Sequence, residues 1–394
     1  MIPARRGPLR VAMVSTNAFP QMGGIATHVH EVSTRLGATG VDVTVLTTDL
    51  SGDLPVEEKL PGYRVRRWRA YPRSRDYYLA PGLARHLLRA DDYDVVHIQG
   101  IHNLVAPVAL AAARRAGFPT VLTFHTGGPS SAPRGSLPPL KDLYLALRQR
   151  DPQSSALRGL LRPLQWWLLA PLLRSTAALV AVSDYERQTF AAVLGDTEGA
   201  IRFIPNGCEP LPVDHSAEIP EGTPLLVSVG RLERYKGHHR ILRALPAILA
   251  QAPNARLVLV GSGPYEQPLR AMASRLGVSD RVSICGFAPE RRAAMGKLVA
   301  DADVICLLSE GESHPVAVME ALGAGTNALV ADTSGLSELG SAGLATTIAL
   351  EATAEQVAAA ALAVAAAAPP PPPALPSWDD CAEQLHRLYR EVTA

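Results

Sequence analysis

Short, continuous apolar runs alternate with longer stretches of helical period along the whole chain. In the first half the runs are Leu9 to Ser15, Val41 to Thr47, Val95 to Ile98, Thr120 to Phe124, Ala178 to Val182 and Ile201 to Pro205, with a helix predicted over Ile25 to Ala38. The second half repeats the arrangement at Leu225 to Val229, Ala255 to Val260, Val282 to Ile284, Val304 to Leu308 and Asn327 to Ala331, each run followed by a helix-length segment. Strands that are apolar on both faces and separated by helices belong to parallel sheets covered on both sides. The pattern therefore predicts two doubly wound, Rossmann-like α/β domains.

The period breaks in two places. Residues 206–223, NGCEPLPVDHSAEIPEGT, concentrate Pro, Gly and acidic residues and read as a linker between a first domain over 1–205 and a second over 224–368. An Ala-rich helix from Ala354 to Ala368, with Thr353 as its N-cap, stops at the five prolines Pro369 to Pro373. In the closing segment, 369–394, Ser377 caps a last amphipathic helix with Trp378, Leu385, Leu388 and Tyr389 on one face. That helix either crosses back to the first domain or packs on the second.

Composition narrows the function classes. The chain has 394 residues, 47% of them hydrophobic, enough for large cores and incompatible with disorder as the main state. Its 38 cationic and 37 acidic side chains leave a formal charge of +1, so no global field selects nucleic acid or an anionic membrane. Cys208, Cys285, Cys306 and Cys381 match neither a metal pair nor a disulfide framework and read as reduced, cytoplasmic thiols. No apolar segment is long enough to span a bilayer, and no signal peptide is evident at the N-terminus. Only four of the cations are lysines: Lys59, Lys141, Lys236 and Lys297.

Three motifs carry chemistry. Gly23-Gly24 opens a helix after the first strand, where bared amides suit a phosphate or form a plain tight turn. In VSVGRLERYKGHHR a strand ends at Val229-Gly230, and Arg231 and Lys236 follow it. On charge alone they fit a diphosphate or a solvated turn equally. In SEGESHPVAVMEALGAG, Pro315 suits the first helical position, which puts Glu312 in the turn before the helix and Glu320 inside it, with free first-turn amides between.

Together with His125 in VLTFHT, VGSGP, ICGF, VSDYER and IPNG, these motifs resemble retaining glycosyltransferases of family 4 over nearly the whole chain. The resemblance implies the GT-B fold, two α/β domains facing across a cleft, with the closing helix crossing back to the first. It implies that Arg231 and Lys236 neutralise the diphosphate of a nucleotide-sugar donor, that Gly24 approaches it from the other domain, and that Glu320 holds the ribose hydroxyls. Glu312 and His125 would stand beside the donor sugar, and Gly286 and Phe287 at the base. Gly23, Gly230, Ser313, His314, Val316 and Ala317 complete the implied donor site. No metal or other cofactor is implied. The expected reaction is transfer from a UDP-sugar to a small hydroxylated or lipid-linked acceptor, antibiotic and other specialised metabolites included. Rivals are a sugar-nucleotide epimerase of the same fold and a non-catalytic binding protein.

Several features are weaker. His97, His102 and Asn103 lie in or after the Val95 to Ile98 run and are candidates for the acceptor side. Asp92-Tyr93-Asp94 and Asp301-Ala302-Asp303 spell a metal-binding pattern but read as polar strand entrances. Arg134 to Arg174 holds seven basic and two acidic residues interleaved with tryptophans, which suits weak peripheral contact with a bilayer or helices packed on the first domain. Ser334-Gly335-Leu336-Ser337-Glu338 replaces a double-glycine turn of the family, and no catalytic role is assigned to it.

Overall fold

A computed structural model describes residues 7–16, 18–21, 23–71, 78–101, 104–125, 169–195, 200–369 and 371–394. Its strands are β1 (Arg10–Ser15), β2 (Asp42–Asp49), β3 (Glu57–Leu60), β4 (Tyr63–Arg69), β5 (Val95–Gln99), β6 (Thr120–Thr123), β7 (Ala178–Ala181), β8 (Ile201–Phe203), β9 (Leu225–Val229), β10 (Arg256–Val260), β11 (Val282–Cys285), β12 (Val304–Leu307), β13 (Ala328–Ala331) and β14 (Thr346–Ile348). The helices are α1 (Gly24–Ala38), α2 (Pro81–Arg89), α3 (Val105–Arg115), α4 (Asp184–Leu194), α5 (His238–Gln251), α6 (Glu266–Arg275), α7 (Arg292–Ala300), α8 (Val316–Gly323), α9 (Ser334–Ser341), α10 (Ala354–Ala366) and α11 (Trp378–Thr393).

Among the described residues the strands form two sheets, ordered β3-β4-β2-β1-β5-β6-β7-β8 and β11-β10-β9-β12-β13-β14. Every pairing is parallel except that of β3 with β4. This is the GT-B arrangement. The strands absent from the apolar pattern are β3, β4 and β14. In β4, Tyr63 and Val65 face the core while arginines alternate with them, so the strand lacks a continuous apolar run; β3 and β14 are sheet edges with partly exposed residues.

The strand order reverses between β1 and β5 in the first sheet and between β9 and β12 in the second. Loops leaving the carboxyl ends of strands at such reversals diverge and open a crevice. Gly23-Gly24 follows β1, the Gly230 to Lys236 loop follows β9, and the Ser309 to Pro315 loop follows β12. All three motifs named above therefore sit at reversal points.

The last helix crosses to the first lobe. Trp378, Cys381, Ala382, Leu385, Leu388 and Tyr389 of α11 share one buried cluster with Val29, Val32 and Leu36 of α1 and with Met13 of β1. Ser377 and Asp380 form a capping box at its start, and Arg35 Nε donates to Asp379 at 2.9 Å. The outgoing and returning segments run side by side, with the Cys208 amide donating to the Pro376 carbonyl at 2.8 Å. Gly207 permits that approach, since a methyl group there would stand 2.3 Å from the Trp378 backbone. At the other expected punctuation, α10 ends at Ala366, two residues before the predicted stop, and Thr353 caps it with Gln356.

Among the described residues no helix is long and apolar enough to cross a membrane. Most of Arg134 to Arg174 lies outside the described residues.

Candidate active site

On the second lobe the chain after β9 makes one 3₁₀ turn, Arg234–Lys236, and ends it on Gly237 at φ 74°. A methyl group at Gly237 would stand 1.8 Å from the Leu308 carbonyl oxygen, so only glycine lets this turn press against the end of β12. The contact brings Lys236 to Glu312. Lys236 Nζ donates to both carboxylate oxygens, at 2.7 and 2.9 Å, in a pair that is mostly enclosed. Burial pulls the Lys236 ammonium down, but the Glu312 carboxylate together with Tyr235 more than offsets this and leaves it raised, so the residue stays cationic. Glu312 is itself held, its amide donating to Ser334 Oγ at 2.8 Å.

Arg231 behaves differently. Its side chain is half exposed and donates to Glu233 at 2.9 Å. Behind the loop, His238 Nε2 donates to the Arg231 carbonyl at 3.2 Å while its Nδ1 accepts from Ser228 Oγ at 2.9 Å. Burial pushes His238 down to about 4, so it works as a neutral prop.

Pro315 is the N-cap of α8 rather than its first residue. Its carbonyl accepts from the Val318 and Met319 amides at 2.9 and 3.0 Å, and the Val316 and Ala317 N–H groups belong to the first turn, which has no intrahelical partners to give them. Glu320 lies inside α8, buried, and accepts from Arg292 Nη2 at 2.7 Å. Burial raises its carboxyl to about 7, against the pull of Arg292 and with Glu31 of α1 adding to the rise. Beyond β11, Gly286 is exposed and Phe287 is partly buried with the Arg291 guanidinium 5.8 Å above its ring.

The first lobe completes the crevice. A methyl group on Gly24 would stand 4.0 Å from Val316 Cγ2, so Gly24 approaches the start of α8, whereas one on Gly23 would meet nothing within 4 Å. His125 follows β6 at φ +52° and its Nε2 lies 2.7 Å from Gln99 Oε1. Its ring meets the edge of His28, centroids 4.5 Å apart. His28, on α1, is buried, bonds Asn206 Oδ1 through Nδ1 at 2.9 Å, and is pushed by burial down to about 4. Opposite, burial likewise takes His314 down to about 4, and its enclosed Nδ1 has no partner among the described residues.

The acceptor-side expectation for His97 is corrected. His97 is fully buried, bonding Tyr389 Oη through Nδ1 at 2.5 Å and Thr123 Oγ1 through Nε2 at 2.8 Å, because α11 covers that face of β5. It cannot line a cleft. His102 and Asn103 lie outside the described residues. Asp94 accepts from the Arg10 amide and side chain, and Asp303 from the Leu225 amide, which ties the entrances of β5 and β12 to their neighbours, away from the crevice. Among the described residues no group of three or more His, Cys, Asp or Glu side chains could hold a metal.

Among the described residues, hydrogen bonds to Glu186 and Glu338 join the lobes at the crevice. Ser313 Oγ donates to Glu186 Oε1 at 3.1 Å, and Glu338 of α9 accepts from the amides of Asp184 and Tyr185 at the start of α4.

Comparison with known proteins decides the family. Residues 22–210 match the family described as Glycosyltransferase Family 4 and residues 213–366 the one described as Glycosyl transferases group 1. The chain belongs to glycosyltransferase family 4. Transferases of this family are retaining, and the chain is similar to the D-inositol 3-phosphate glycosyltransferase of Nocardiopsis dassonvillei, 32% identical over 84% of this chain and 80% of that one. Sucrose-phosphate synthase of Thermosynechococcus elongatus shares the fold with a TM-score of 0.71 at 20% identity, over 98% of this chain and 99% of that one. Anabaena HepE, solved with UDP-glucose, gives a TM-score of 0.63 at 18% identity over 97% and 100%.

Within this family-4 chain, sequence reasoning passed over Gln99, Arg292, Ser334 and Glu338. Ser334 and Glu338 stand in the segment to which no role was assigned, yet one holds Glu312 and the other caps a helix of the opposite lobe. A polar residue at the carboxyl end of a predicted strand, as Gln99 is, was the available signal for the first.

Proposed function

We propose that the protein transfers a sugar, with retention, from a nucleoside-diphosphate sugar to a hydroxyl of a small polyol. The observation that carries this reading is the enclosed Lys236–Glu312 pair at one reversal point, together with Gly24, at the other, lying close to Val316 at the start of α8. An ammonium held by a carboxylate is poised for exchange. A diphosphate entering the crevice can take Lys236, and Glu312 is then free to accept hydroxyl hydrogens from the donor sugar.

Breaking the bond between the anomeric carbon and the diphosphate oxygen builds positive charge on the sugar and negative charge on the leaving group. Lys236, Arg231 and the first-turn amides of α8 meet that negative charge, more strongly in the transition state than before it. The acceptor oxygen bonds to the anomeric carbon on the face the diphosphate leaves, and its proton passes to the departing phosphate oxygen. Glu320 receives the ribose hydroxyls, and Gly286 and Phe287 the base. His125 stands beside the sugar. Because these charges are supplied by side chains and amides, turnover is expected to be unchanged by a chelator.

A UDP-sugar is the favoured donor, in keeping with the UDP-glucose held by the HepE fold, and an inositol phosphate the favoured acceptor class, in keeping with the name of the Nocardiopsis relative. The test is a panel of UDP- and GDP-sugars, followed by nucleotide release with and without myo-inositol phosphates, other polyols and lipid-linked polyols. Acceptor-dependent release supports transfer. Altered sugar nucleotide without an acceptor would mean an epimerase instead, and binding without turnover a non-catalytic protein.

A further inference from the structure

Beneath His125 lies a run of buried polar groups that the reaction as described does not use. Gln99 closes β5, is buried, and places its carbonyl oxygen 2.7 Å from His125 Nε2. Its amide nitrogen lies 2.8 Å from Met13 Sδ and over the His97 ring, 3.3 Å from each ring nitrogen. A thioether sulfur can only accept a hydrogen bond. Turning the amide over would set its carbonyl oxygen against that sulfur with no hydrogen between them, in a core where an unmet acceptor is costly. Met13 therefore decides which end of Gln99 faces His125. The oxygen does, so His125 Nε2 must carry the hydrogen.

The other end of the run reaches the last helix. His97, placed under Gln99, is held by Thr123 Oγ1 on β6 and by Tyr389 Oη on α11. Burial keeps His97 well below the usual histidine range, so it is a neutral ring whose two nitrogens are both spoken for. His125 itself sits at φ +52°, a backbone conformation that non-glycine residues hold only when their surroundings impose it.

We propose that Gln99 is a positioning residue: its carbonyl oxygen, oriented by Met13 and His97, holds His125 as the Nε2–H tautomer and leaves Nδ1 as the acceptor nitrogen of the ring. In the neutral ring Nδ1 can then only accept, which matches a hydroxyl hydrogen of the donor sugar. This last clause rests on the reading of His125 given under Proposed function; the tautomer does not.

Two readouts separate the parts. In the full-length, ligand-free protein labelled with ¹⁵N-histidine, the His125 signals, assigned by their loss in His125→Ala, are expected to show a single Nε2–H tautomer. Gln99→Met keeps the length of the side chain and removes its acceptor. It is expected to give a tautomer mixture and to lower kcat by up to about 10²-fold with a smaller change in donor KM, since alignment rather than affinity is lost. Tyr389→Phe, which deletes one oxygen at the far end, keeps the proposal testable if Gln99→Met does not fold, and is expected to shift the same signals less. An unaltered single tautomer in both variants would overturn the proposal. If the tautomer shifts as expected while His125→Ala turns over donor normally, the positioning stands and the placement of His125 beside the sugar fails.

Discussion

The two walls of the crevice solve different problems with different chemistry. The second-lobe wall holds charge in pairs: Lys236 with Glu312, Arg292 with Glu320, Arg231 with Glu233. The first-lobe wall holds a hydrogen-bonded stack, His125 on Gln99 on His97, in which His97 is buried and uncharged, with His28 buried and uncharged alongside. Ion pairs can trade partners when an anion arrives, whereas a neutral buried stack has no such freedom and fixes direction. On the proposed reading, the donor's diphosphate belongs with the first kind of wall and the orientation of its sugar with the second.

The comparison breaks most sharply at Lys236. Lys236→Ala removes the cation and leaves Glu312 enclosed without a partner, and donor turnover is expected to fall by about 10²- to 10³-fold. Near-normal kcat/KM in that variant would show that the charged wall does not serve the diphosphate. Lys236→Arg sharpens the point. A planar fork replaces a compact ammonium where the 3₁₀ turn leaves little room, so recovery is expected to be partial, and in a chain this poor in lysine that would explain why one stands here.

A smaller effect separates paired from titrating charge. With its carboxyl raised to about 7, Glu320 is protonated in part at neutral pH, and the ribose hydroxyls proposed to donate to it would favour the ionised form. Donor affinity is therefore expected to rise by about tenfold from pH 6 to pH 8, read as a falling donor KM. Glu320→Gln is expected to flatten that dependence. The stability of the ligand-free protein moves the opposite way. A raised folded-state value gives a contribution that is full below the ordinary glutamate range and is lost as pH climbs through 7, so the melting temperature is expected to decline over that span and to decline less in Glu320→Gln.

The smallest expected effect concerns the helix that supports the neutral wall from behind. Ser377→Ala removes the capping box of α11 and is expected to cost about 1 kcal/mol, measured as a shift in the denaturant midpoint. Because α11 carries Tyr389 to His97, a loss of kcat that follows the loss of cap would tie the neutral wall to the closing helix, whereas unchanged kcat would separate the two.

Much of this was legible in the residues. Apolar runs marked the buried strands to within two residues at each end, and the caps at Thr353 and Ser377 fell where Ser and Thr precede an apolar period, because burial and capping are recorded locally. Strands at and next to the sheet edges escaped for the same reason reversed: β4 fully buries only one face and interleaves arginines, so its pattern is not that of a core strand. At the site, Gly24, Lys236, Glu312 and Glu320 could be picked out through their motifs, but His97 was misplaced. Nothing near position 97 reveals that a tyrosine far along the chain covers it.

By itself, then, the sequence determined two doubly wound sheets, the reversal-point loops and the family to which the chain belongs. Those features depend on short-range periodicity and on motifs within a few turns. The tertiary structure alone decided which groups meet: Lys236 with Glu312, Glu338 with the start of α4, and Tyr389 with His97 beneath Gln99. Each of these is a contact between side chains remote in the chain, made only because sheet order and a crossing helix bring them together, and no local pattern records a distance of that kind.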